Sequence, residues 1–499
     1  MEYLEIFCGI VALFLAIYYY FTIKFKFWES RGVIGPRPIF LFGNFLKVIL
    51  ARTTLPEYVK QIYEKYENEQ MIGTYMLSAP VLILRDPEII KDVLIRDFSK
   101  FGNRGINFSD KAEPLSTNIL NLEPKRWRPL RGKLSPMFTS GKLKDMFDLI
   151  LESGAQLEKY LNKIVAQKEP IDFHNVTAKF ATDVIGSCAF GIETSALDDE
   201  ESDFRKLGKT IVAVDLQNTI RLKVRTFLPK LYDLSGYIFP ERRFTPYFTN
   251  LVADTMKYRK ENKVYRPDFI HILMELKEHP DSIEEFKLTN EILAAQAFIF
   301  FVAGFETSSS TMSNALYELA RNPQIQDKLR EEIREHYAKH NGKLKYEHIK
   351  NMEYLDKVFK ETLRMYPPAG TLPRLSMTNY TFKNTKISIP KDVSVWIPVF
   401  AIHRSPDIYP NPDVFNPENF SEAAIATRHP MFYLPFGGGP RKCIGERFGI
   451  YQTKIGLISI LRNYKVDVCK KTMIPYEFDP NTFLLAAKGG IYLNVSKVD

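Results

Sequence analysis

Residues 436–445 read Phe436-Gly437-Gly438-Gly439-Pro440-Arg441-Lys442-Cys443-Ile444-Gly445, a glycine-rich loop entering a helical pattern that runs to about Tyr464. Phosphate binding would require a Lys followed by Ser or Thr at the helix start, or a G-x-G-x-x-G turn after a strand. Neither is present. A nucleophilic cysteine would want a histidine partner and an oxyanion hole, and the local sequence matches no cysteine-protease signature. A metal-bound thiolate fits better, because Cys443 precedes a helix whose positive end and turn N–H groups stabilise sulfur as S⁻. The chain has no CxxC, CxxCH or HExxH, so zinc clusters, c-type haem attachment and that class of metalloprotease lack support. One isolated thiolate suits a single axial bond to haem iron. The glycines allow a tight bulge beside a porphyrin, and Arg441 can meet a propionate.

Upstream lies the longest helical pattern, from the cap Thr289-Asn290-Glu291 to Arg321, before Asn322-Pro323. Its length of roughly 48 Å, at 1.5 Å per residue, would cross a whole domain. Ala294–Ala303 is almost entirely apolar, so this reads as a buried central helix carrying Ala303-Gly304-Phe305-Glu306-Thr307. Thr307 can bond the carbonyl of Ala303 while Gly304 removes bulk, which together would loosen one turn and open a polar notch. A packing glycine beside a back-bonded threonine explains the same residues without function. Short β-like runs flank the helical bulk near Met71–Leu77, Val81–Leu84, Lys386–Ile389, Val393–Trp396 and Gly490–Val495. The expected fold is mainly α with a small β-rich lobe built from both ends of the chain.

The 499 residues are 45% hydrophobic and 25% charged, which excludes a disordered, collagen-like or polytopic membrane protein. Four cysteines cannot form a disulfide scaffold, and a reducing compartment is favoured. Ile6–Ile23 is an uncharged run just long enough to span a bilayer. Lys24, Lys26 and Arg31 follow it, with Trp28 among them as an interface anchor. The expected organisation is a transmembrane signal anchor over residues 1–23, a basic, Pro-rich hinge over 24–38 and a cytosolic catalytic domain over 39–499.

These residues resemble the haem-thiolate cytochromes P450. The pattern F-x-x-G-x-R-x-C-x-G is met at Phe436, Gly439, Arg441, Cys443 and Gly445, a coincidence expected by composition in on the order of a few chains in 100,000. Ala303–Thr307 is similar to that family's oxygen-activation motif, and Glu361-x-x-Arg364 to its buried helix pair. E-x-x-R occurs four times, from Glu123, Glu318, Glu331 and Glu361, but only the last is followed by Met365-Tyr366-Pro367-Pro368 as the family requires. Trp127 and Arg131 resemble the propionate-binding pair, which Arg104 and Arg374 would complete. One departure stands at Pro417-Glu418-Asn419-Phe420, where the family usually has Arg before Phe. Asn419 is expected to hydrogen-bond to the Glu361–Arg364 pair in its place. The wording of residues 303–311 and 134–144 resembles insect microsomal members of the sixth family.

The resemblance implies haem b as cofactor, O2 as co-substrate and monooxygenation, with Cys443 as axial ligand and Thr307 and Glu306 organising protons. It implies NADPH used through a separate cytochrome P450 reductase, with cytochrome b5 as a second candidate donor, and a single-pass place in the endoplasmic reticulum membrane. Lys125, Arg126, Arg128, Lys133, Lys142 and Lys144 form a candidate docking face for an acidic reductase. Arg221–Phe248 is similar to a membrane-dipping loop. Phe108, Ile299, Val302, Ala303, Leu372 and Phe483 are expected to line a pocket for lipophilic substrates such as plant toxins or insecticides. An endogenous hormone or lipid substrate, a non-oxygenating isomerase or dehydratase, and a haem sensor are the alternatives. No nucleic-acid module is present, so nucleic acid is not an expected partner.

Overall fold

The computed structural model describes residues 2–192, 194–199, 202–212, 216–238, 241, 243–266, 268–279, 288–482 and 484–498. They fall into two units: Met1–Ile106 with Ala369–Ile408 and His429–Arg441, and Asn107–Pro368 with Tyr409–Arg428 and Lys442–Asp499. Helices dominate and the sheets are small, the class expected.

The first unit begins with the helix Glu2–Phe25, whose Ile6, Phe7, Ile10, Leu13 and Phe14 are exposed. It is long and apolar enough to cross a membrane. Its foot is fixed by aromatic packing, Phe21 on Phe40 and Phe25 on Tyr75. Trp28 departs from the expectation of an interface anchor. It is 3% exposed, and its indole N–H donates to the Thr74 carbonyl at 2.8 Å. The indole lies so close to Gly73 that a Cβ there would come within 2.5 Å of it, which explains the glycine inside a strand. The stretch after it is bonded along the same strand: Gly73 N–H donates to the Ile34 carbonyl, and Asn44 holds Pro36, Arg37 and Tyr75.

That strand, β1 (Met71–Met76), pairs antiparallel with β2 (Ala79–Leu84). β3 (Leu372–Leu375) and β4 (Ser394–Ile397) complete a four-stranded sheet in the order β1-β2-β4-β3. β2 runs parallel to β4, with Val81 opposite Ser394 and Ile83 opposite Trp396. Leu82, Leu84, Val395 and Ile397 are buried in one core of this unit, while Phe45, Ile83 and Trp396 are buried in another.

The second unit is built on the central helix Asn290–Arg321, capped by the Thr289 hydroxyl, which accepts from Ile292 N–H, and ended before Pro323. Both ends stand where the sequence placed them. The helix Phe173–Ile185 packs along it, and the helices Glu353–Met365 and Glu446–Leu461 also touch it. A three-stranded sheet joins Ile171–Asp172, Tyr492–Lys497 and Tyr464–Val468.

Candidate functional site

The glycines of the 436–445 loop have distinct duties. Gly437 and Gly439 take positive φ, +72° and +68°. A Cβ on Gly439 would come within 1.9 Å of the Leu94 carbonyl oxygen, so only glycine fits there. Phe436 is half-buried at the start of the loop.

In the first unit this loop delivers Arg441, 2% exposed, whose Nε donates to the Gly102 carbonyl at 2.9 Å. Arg104 Nη2 donates in turn to the Arg441 carbonyl at 2.9 Å. Arg374, on β3, is also 2% exposed. Its Nη1 donates to the Pro373 carbonyl, and its Nε is buried with no partner. Burial, with the Arg104 charge adding to it, drives the Arg374 guanidinium down to about 9. A buried cation held beside a second cation, with an unanswered N–H, is unfavourable until an anion arrives. Haem carboxylates are such an anion, so this cluster fits the implied cofactor. Leu372 stands two residues before Arg374 on the same strand, half-buried.

In the second unit Cys443 is exposed, two residues ahead of the Gly445 cap of Glu446–Leu461. Arg131 Nη2 donates to the Lys442 carbonyl at 3.0 Å, tying the cysteine segment to the helix Pro124–Leu134. Burial pushes the Arg131 guanidinium down, opposed by the Cys443 sulfur. Trp127, one turn earlier, is buried. Among the described residues no group of three or more His, Cys, Asp or Glu side chains is placed to hold a bare metal ion. An accessible thiol beside a guanidinium fits a cofactor whose iron is already held by a macrocycle.

The central helix does not loosen at Ala303–Thr307, as the sequence suggested; it is α-helical throughout. The Thr307 hydroxyl donates to the Ala303 carbonyl at 2.7 Å, and Thr311 does the same to Thr307. Gly304 serves packing, since a Cβ there would come within 2.4 Å of the Ile185 side chain. Glu306 is 6% exposed and its Oε2 has no partner. Its Oε1 accepts from Ser310 and meets His174 Nε2, both at 3.3 Å. No motif marks His174; Asp172, the cap of its helix, positions it. Ile299, Val302, Ala303 and Thr307 share one face of the helix and stay accessible, although most of its following turns are buried. Phe108 is half-buried, and Phe483 lies outside the described residues.

Of the E-x-x-R repeats, burial singles out one. Glu361 and Arg364 are both 0% exposed and joined by two 2.7 Å bonds. Asn419 Nδ2 donates to Glu361 Oε1 at 3.1 Å and Asn416 N–H at 2.9 Å. Glu123–Arg126 and Glu318–Arg321 are ion pairs with partly open members. Of the seven basic residues in 124–144, Arg126, Lys142 and Lys144 pair with Glu123, Asp145 and Glu347.

The family model described as Cytochrome P450 matches residues 34–494. Cytochrome P450 6B1 of Papilio polyxenes is 38% identical over 493 residues, covering 96% of this chain and 97% of its own length. Cytochrome P450 6A1 of Musca domestica is 37% identical over 486 residues, with coverage of 96% and 95%. Probable cytochrome P450 6a20 of Drosophila melanogaster is 38% identical over 495 residues, with coverage of 98% and 99%. The thiol-bearing loop, the buried Arg374 with its unanswered N–H and a match along nearly the whole chain agree: the protein belongs to the cytochrome P450 family, among its insect sixth-family members, and is a haem monooxygenase.

Proposed function

We propose that this enzyme oxygenates lipophilic small molecules, foreign compounds foremost, using electrons that a separate NADPH-dependent flavoprotein reductase supplies. The accessible stripe of Ile299, Val302, Ala303 and Thr307 carries the substrate reading. It offers three apolar side chains and one hydroxyl where an apolar molecule gains by leaving water.

Cys443 sulfur would hold the iron of haem b, Arg104, Arg131, Arg374 and Arg441 would answer its carboxylates, and Trp127 could add a hydrogen bond to them; the bound group would supply the binding and reductive activation of O2. The chain's own residues manage protons. Thr307 spends its hydroxyl hydrogen on the Ala303 carbonyl and keeps its lone pairs to accept, so it can hold a water molecule in place. Glu306, buried one residue earlier with a free oxygen, is the acid from which a proton can be drawn. Among the described residues Lys125, Arg128 and Lys133 form no ion pair with a carboxylate, which supports the docking of an acidic reductase. The apolar helix Glu2–Phe25 supports membrane anchoring with the catalytic body on the cytosolic side.

Turnover of a lipophilic probe with reductase and NADPH, wild type against Thr307→Ala, tests this reading. The variant should still consume NADPH, but product per NADPH should fall by roughly 10–100-fold, at or below the usual contribution of a positioned proton donor. Unchanged coupling would remove Thr307 from the mechanism.

A further inference from the structure

The buried carboxyl of Glu306 needs a source of protons, and the structure offers one on a neighbouring helix. His174 Nε2 lies 3.3 Å from Glu306 Oε1, the oxygen that also accepts from Ser310. The two side chains differ in access: 28% of the His174 side chain remains open, against 8% for Glu306. The His174 side chain is thus partly open while its Nε2 meets the closed carboxyl. Its backbone is held at the start of its own helix, where Asp172 accepts the His174 backbone N–H at 3.1 Å and Thr177 donates to the His174 carbonyl, leaving the ring to turn about Cβ–Cγ. Asp172 is in turn bonded by Ile491 N–H from the C-terminal strand segment.

We propose that His174 is a positioning residue for catalysis that reloads Glu306 with protons from solvent. This rests on the reading that Glu306 and Thr307 deliver protons. The step balances simply. The imidazolium Nε2–H bond breaks as an O–H bond forms on Glu306 Oε1, leaving a neutral ring protonated on Nδ1. Once Glu306 has passed its proton inward, the ring turns about Cβ–Cγ and Nε2 takes a proton from water. It then returns, and no net charge accumulates.

The charges around the ring favour a loaded state. Burial pushes the His174 pKa down, but its bond to Glu306, the Glu306 charge and Asp172 more than offset that and Arg205, and the net lies above the usual histidine value. Arg205 faces this group from the helix Asp203–Val212 and is bonded to Asn175 at 2.5 Å. Ser310 is neutral, so Glu306, Asp172 and Arg205 are the charges that set the ring's protonation. A loaded histidine above its ordinary range donates at neutral pH and stops donating as pH rises through its own titration.

The full-length enzyme in lipid vesicles with reductase serves for the test, with His174→Gln, His174→Phe, Glu306→Gln and Thr307→Ala. In wild type, product per NADPH should decline as pH rises from 6 to 9. In His174→Gln it should be lower at pH 7, by about tenfold, and flat across that range. Carbon-13 histidine NMR gives a readout independent of turnover: the His174 titration should move down in Glu306→Gln. The carbon-monoxide spectrum of each variant reports whether haem is still held. A His174→Gln enzyme with wild-type coupling and pH profile would overturn the proposal, as would a His174 titration indifferent to Glu306. If Thr307→Ala uncouples while His174→Gln does not, only the role of His174 falls. If neither does, the wider proton-delivery reading falls with it. Should the His174 variants fail to fold, the wild-type and Glu306→Gln titrations still decide.

Discussion

Replacing Glu361 by Ala should be among the most damaging single substitutions outside the haem ligand. The carboxylate accepts four hydrogen bonds: Arg364 Nε and Nη2 at 2.7 Å, Asn416 N–H at 2.9 Å and Asn419 Nδ2 at 3.1 Å. Without it Arg364, fully buried, loses both of its charge-assisted carboxylate bonds and is left with neutral partners such as the Pro412 carbonyl at 2.8 Å, the Val414 carbonyl at 3.4 Å and the Tyr409 ring. Removing one partner of a buried pair costs about 3–5 kcal/mol, because the other charge is left unanswered. That is a third or more of the ~5–15 kcal/mol that typically holds a protein folded. Asn419→Ala removes a single neutral donor and leaves three, so its cost should be nearer ~1.5 kcal/mol. Urea midpoints and proteolysis rates of the full-length variants give the order, and Glu361→Gln should fall between the two. Because the orphaned charge dominates, Glu361→Leu combined with Arg364→Met should recover much of the loss. A Glu361→Ala protein within about 1 kcal/mol of wild type, or no worse than Asn419→Ala, would refute this reasoning.

Two further outcomes follow from the buried charges. Arg374→Leu should stabilise the haem-free chain by ~1 kcal/mol or more while speeding haem loss to a scavenger protein. Its folded pKa of about 9 lies below the usual 12.5, so the penalty is fully present below pH 9 and fades above it. The advantage of Leu in the haem-free chain should shrink over the same range in urea titrations. Asp356 bonds Lys454 at 2.6 Å and Lys360 at 2.7 Å. Burial pushes its pKa up, but the two lysines more than offset that and hold it below the ordinary value. Asp356→Asn should therefore cost ~1–3 kcal/mol near neutral pH, as it strands the buried Lys454. The difference from wild type should begin to shrink as pH falls below about 4 and disappear only at lower pH, once the native carboxylate is itself protonated.

The features legible in the sequence are those written in contiguous residues. The cap at Thr289 and the stop at Asn322-Pro323 bound the central helix correctly because both signals act within one turn. The cysteine loop carries its own glycine and arginine spacing. The family wording after Arg364 picks out the copy of E-x-x-R that proves fully buried. What stayed hidden depends on partners distant in the chain. β2 pairs with β4 across some 310 residues, and no local pattern announces a parallel neighbour. Trp28, flanked by basic residues after an apolar run, reads as an interface aromatic until Gly73 is found to make room for it. Gly304 has the same history, since its reason is Ile185 on another helix. His174 is ordinary in sequence and acquires meaning only from the carboxyl opposite it.

The central claim is that Cys443 sulfur binds haem iron in this protein. The reduced carbon-monoxide difference spectrum of wild type and Cys443→Ala tests it directly. Wild type should show the strongly red-shifted absorption of a thiolate-bound haem, and Cys443→Ala should lose it. A wild-type spectrum without that shift, or a variant that keeps it, would contradict the account.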